Sequence, residues 1–101
     1  MAPVSQEPDL DALRREIDEL DRKILELVAA RMRVVLRVGA HKREHGMPIY
    51  DPGRERQILE KLASAAPTPL TAESARRIFE RLIDEARHLE QSHARGSDPQ
   101  P

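Results

Sequence analysis

Six charged side chains stand where the local pattern calls for apolar ones. Arg31 occupies the place in a seven-residue repeat otherwise held by Leu10, Ile17, Ile24 and Val38. Lys42 follows the row of Val28 and Val35, and Arg14 sits beside Leu10 and Ile17 at the edge of the same face. Further along, Glu55 lies one turn ahead of Ile58, Leu59 and Leu62, with Arg54 next to it and Asp51 shortly before. Glu90 continues the row of Phe79, Leu82 or Ile83, and Ala86. Each has an ordinary explanation. Long cationic chains on an apolar face snorkel to water, Arg54 and Glu55 suit a solvated first turn, and Glu90 suits a fraying helix end. Taken together they point elsewhere, because a buried charge is costly unless it is paired or hydrogen-bonded. Three arginines, one lysine and two glutamates near one apolar seam describe a polar pocket among helices, where bundles hold their ligands. The cationic excess predicts an anionic ligand. Arginines favour planar carboxylates, which they grip through two parallel bonds.

Other chemistries find little support. The sequence carries no Gly-rich phosphate loop and no nucleophile elbow. His41 and His45 are spaced i, i+4 and could share a metal on a helix, but no acid stands at a clear ligand spacing. They read as exposed polar residues, as do His88 and His93.

Helices must position these groups. Ala, Leu, Glu and Arg dominate the middle of the chain and all favour helix, and no segment alternates as a half-buried strand would. The expected class is all-α. The first helix is expected to start at an Asp9 cap and run to about His45, stopped by Gly46 and Pro48. Gly39 weakens it locally, but its smallness admits a close approach by another helix or a ligand. Asp51-Pro52 reads as a cap followed by a first-turn proline, opening a short helix to about Ala65. Pro67 and Pro69 break it, and Thr71 caps a third helix to about His93. The expected organisation is a disordered lead over 1–8, one domain over 9–93 and a disordered tail over 94–101. A first helix of about 36 residues is roughly 54 Å long, more than two shorter helices can cover. Pairing with a second copy is therefore expected.

The 101 residues hold 17 basic and 18 acidic side chains, a net charge of -1. That balance argues against nucleic acid or an anionic membrane as partner, and 2% aromatics leave no stacking platform for single strands. With no cysteine there is neither a disulfide framework nor a thiolate metal site. The first eight residues lack a signal peptide's apolar core, and no run approaches the ~20 apolar residues that span a bilayer. A soluble, cytoplasmic protein is expected.

Several linked motifs resemble the all-helical (AroQ-type) chorismate mutases: LRREIDELDRKILELVAARM, VGAHK, PIYDPGRERQILEKL and RIFERLIDEARHLEQ, over roughly Leu10 to Gln91. The resemblance implies an intertwined homodimer of one long, one short and one medium helix, with two sites that each draw on both chains and need no cofactor or metal. It implies that Arg31, Lys42, Arg54, Glu55 and Glu90 line one site, with Arg14 from the other subunit. Arg14 and Arg31 would bind the two carboxylates of chorismate. Glu55 and the main chain near Asp51 would hold its ring hydroxyl, Lys42 and Glu90 would flank its ether oxygen, and Arg54 would support the pocket.

Two positions depart from some members. Glu90 stands where some carry glutamine, and must be protonated to donate to a developing oxyanion, so its pKa is expected above the usual range. Ala86 stands where some place a serine that contacts a carboxylate. Mutases of 4-amino-4-deoxychorismate and isochorismate pyruvate-lyases share the fold and remain alternatives, as does a non-catalytic helical dimer serving as an interaction module. A shikimate-pathway enzyme as partner is compatible with the resemblance.

Overall fold

The computed structural model describes residues 9–95, and the expected lead over 1–8 and the residues from 96 onward lie outside it. Three α-helices follow in order: α1 (Leu10–Glu44), α2 (Pro52–Ser64) and α3 (Ala72–Ala94). There is no strand among the described residues. All helix boundaries fall within a residue of those expected.

The helix ends show why. The Asp9 carboxylate accepts from the Ala12 N–H at 2.6 Å, satisfying one of the donors that a helix start leaves unpaired. At the other end of α1, Gly46 takes a left-handed φ of 65°. That turn lets the Met47 N–H donate back to the Lys42 carbonyl (2.7 Å) and the Gly46 N–H to that of Arg43 (3.3 Å). The pair of bonds forms a Schellman cap. Asp51 caps α2 through the Arg54 N–H (3.1 Å), with Pro52 in the first turn. Thr71 caps α3 through the Ser74 N–H (3.0 Å).

The chain divides into two units, Met1–Arg31 and Met32–Pro101. In the described part of the first unit, a single helical segment, the apolar stripe is exposed, from 40% at Leu13 to 70% at Leu27. In the second unit α2 and α3 form an antiparallel hairpin, as the ion pairs Glu60–Arg76 and Glu55–Arg87 show by running in opposite order along the two helices. Its buried apolar side chains are Ala63, Ala75, Ile83 and Ala86. Three of the four are alanines, so these helices can approach closely. No helix among the described residues is long and apolar enough to cross a membrane.

Candidate active site

The second unit brings Lys42 and Glu90 together. Glu90 packs against Gly39, where an added Cβ would lie 3.4 Å from Glu90 Oε2 and 3.5 Å from Glu90 Cγ, in ordinary contact. One turn on, Lys42 Nζ donates to the Ile49 carbonyl at 2.9 Å and lies 3.9 Å from Glu90 Oε2. The loop after α1 thus fixes the ammonium. Glu90 is 8% exposed, the only charged residue buried among those described, and its Oε2 makes no hydrogen bond. Burial pushes the Glu90 carboxyl above the ordinary carboxylate range. Lys42 and Arg43 pull it down, and the nearby charge of Glu55 adds to the rise. A carboxyl whose neutral form is favoured thus lies beside a fixed ammonium.

Glu55, in the first turn of α2, is held from α3. Arg87 Nε donates to its Oε2 at 3.3 Å and Nη2 to its Oε1 at 3.1 Å. Nη2 also reaches Asp84 Oδ1 at 3.2 Å, and the guanidinium carbon stands 4.9 Å over the Tyr50 ring. The bond to Glu55 holds the Arg87 guanidinium's pKa above its ordinary value.

The remaining candidates occupy varied settings. Ala86 is buried in α3, one turn before Glu90. Asp51 spends its carboxylate on the α2 cap, and the Arg54 side chain is exposed. In the first unit, Arg14 is exposed and pairs with Asp11 at 3.9 Å. Arg31 is half-buried, and its Nη1 is buried without a hydrogen bond. His41 and His45 stack with ring centroids 4.2 Å apart, and the His45 Nδ1–H donates to the His41 carbonyl. Among the described residues no group of three or more His, Cys, Asp or Glu is arranged to hold a metal ion.

Sequence reasoning missed Arg87. The signal was present: Ile83, Arg87 and Glu90 are spaced i, i+4, i+7, so Arg87 lies on the seam that carries Glu90.

A family model described as chorismate mutase type II matches residues 13–91. The T-protein of Haemophilus influenzae is 37% identical over 78 residues, 76% of this chain but 21% of that protein, so the chain spans about a fifth of that relative's length. A 4-amino-4-deoxychorismate mutase of Streptomyces pristinaespiralis is 33% identical over 101 residues, covering 98% of this chain and 78% of that protein. Among solved structures, a chorismate mutase from Thermus thermophilus superposes with a TM-score of 0.79 at 36% identity, over 81% of this chain and 93% of that one.

Proposed function

The chain belongs to the chorismate mutase type II family, and from that premise we propose that it catalyses the rearrangement of chorismate to prephenate. In this reaction the ether C–O bond breaks as a C–C bond forms, through one cyclic transition state with no covalent intermediate on the protein. Two things accelerate it. The extended substrate must be held folded, which is catalysis by positioning. Negative charge growing on the ether oxygen must meet donors already in place.

The observation that carries the reading is the Lys42–Glu90 pair. It sets an ammonium fixed by the Ile49 carbonyl beside a buried carboxyl whose pKa is raised. Ammonium and neutral carboxyl would both donate to the ether oxygen. Glu55 would accept from the ring hydroxyl with the main chain near Asp51, and Arg54 would support the pocket from the first turn of α2. Arg14 and Arg31 would each grip one substrate carboxylate. The exposed stripe from Leu10 to Leu27 supports a homodimer, since burying it against a second copy removes apolar surface from water. In that dimer Arg14 would serve the partner's site. A cytoplasmic location belongs to the same proposal.

A second reading, a mutase acting on 4-amino-4-deoxychorismate, is favoured by the similarity to the Streptomyces pristinaespiralis protein. Incubation of the purified chain with each substrate, with the product identified, tests both. Prephenate forming from chorismate at the higher kcat/KM is the expected result. Faster conversion of the amino substrate would favour the second reading, and turnover of neither would leave the non-catalytic helical dimer.

A further inference from the structure

We propose that Arg87 is a positioning residue that sets substrate choice: by holding Glu55 in a two-point, charge-neutral pair, it fits the site to a ring hydroxyl and against a ring ammonium. The proposal rests on the mutase reading and deepens it.

Arg87 engages both oxygens of Glu55 through adjacent N–H groups, at 3.3 and 3.1 Å. A planar fork can do this and a lysine cannot. The guanidinium is itself held from three directions, by Glu55 on α2, by Asp84 one turn earlier on α3, and by the Tyr50 ring in the loop before the α2 cap. Both side chains are half-buried, Arg87 27% and Glu55 24% exposed, so water screens the pair only in part.

The consequence for a ligand follows from charge. Each oxygen of the paired carboxylate keeps a lone pair, so it still accepts from a hydroxyl. Its negative charge is already answered. An ammonium placed at the same point would meet a neutralised carboxylate with a guanidinium behind it, and gains little. A hydroxyl is indifferent to that nearby cation. Specificity of this kind is a difference in affinity built partly from repulsion. Take Arg87 away, and Glu55 becomes an uncompensated carboxylate that recruits a cation.

The test compares kcat/KM for chorismate and 4-amino-4-deoxychorismate in the full chain and in Arg87→Met, with thermal unfolding measured alongside. The chorismate-over-amine ratio is expected to fall on the order of tenfold in Arg87→Met, as when one partner of a part-buried charge pair is removed. Arg87→Lys keeps the charge and loses the fork, so it is expected to hold the ratio within about twofold while KM for chorismate rises. Should Arg87→Met not fold, Arg87→Gln drops the charge while keeping a donor, and carries the same expectation. A lower melting temperature with an unchanged ratio in the charge-removing variant would assign Arg87 a structural role and overturn the proposal. Wild-type chain that rearranges neither substrate overturns the mutase reading and this inference together. Prephenate formation whose selectivity ignores Arg87 overturns this inference alone.

Discussion

On the function proposed above, Glu90 is the residue whose protonation state matters most. Lys42 and Arg43 on α1 and Glu55 on α2 all act on it, and burial outweighs the two cations, so its pKa is raised. The direction fixes the pH dependence. A carboxyl with a raised folded pKa stabilises the fold fully below its unfolded value, about 4.3, and that contribution is lost as pH rises through the folded value. The neutral donor disappears over the same window. The rate of wild-type chain is therefore expected to fall as pH rises through the raised pKa, whereas Glu90→Gln, which cannot ionise, keeps a flat profile there. The variant should also unfold at a higher temperature than wild type above that window, with the gap closing as pH falls. An identical falling limb in both proteins would detach the pH dependence from Glu90. At this scale much of the candidate site was legible: Lys42, Glu55 and Glu90 stood out as charges in apolar rows. Arg87 was not, because the apolar row runs through Ala86, and an arginine close behind two acids in DEAR looks like surface decoration until its partner on another helix is known.

At the scale of the elements, local chemistry determines nearly everything. Asp9, Asp51 and Thr71 each place a side-chain oxygen on an N–H of the following turn, and the spacing that predicted them is the spacing the bonds require. The end of α1 depends on Gly46, whose φ of 65° most residues with a Cβ adopt only at a cost. An added Cβ there would meet nothing within 4 Å, so the cost of substitution lies in the backbone alone. Gly46→Ala is expected to destabilise the fold by about 1 kcal/mol, measurable by denaturant unfolding. It is also expected to loosen the loop that carries the Ile49 carbonyl to Lys42, lowering activity more than so small a loss of stability would. No change in either quantity would show that the cap does not hold this loop. What the sequence could not supply is the α2–α3 register, which brings Glu55 to Arg87 and Glu60 to Arg76. That pairing depends on how closely alanine-lined faces approach, and periodicity along one helix carries no such information.

On the scale of the whole molecule, the long helix poses the question that pairing answers. α1 holds 35 residues, and Leu10, Leu13, Ile17, Leu20, Ile24 and Leu27, all in the first unit, are exposed. On the reading proposed above, a second copy covers this stripe and Arg14 crosses into the partner's site. Two variants separate the contributions: Arg14→Ala should lose the carboxylate grip, and Lys42→Met should lose the ether-oxygen donor, a change worth roughly 100-fold or more in kcat. Each homodimer is expected to be nearly inactive while remaining folded and dimeric. Unfolding and refolding an equal mixture of the two should make about half the dimers mixed, each with one site of unmutated residues. The direct measurement is prephenate formation by that mixture. The account predicts recovery to about a quarter of the wild-type rate, whereas a refolded mixture as inactive as its two components would contradict it.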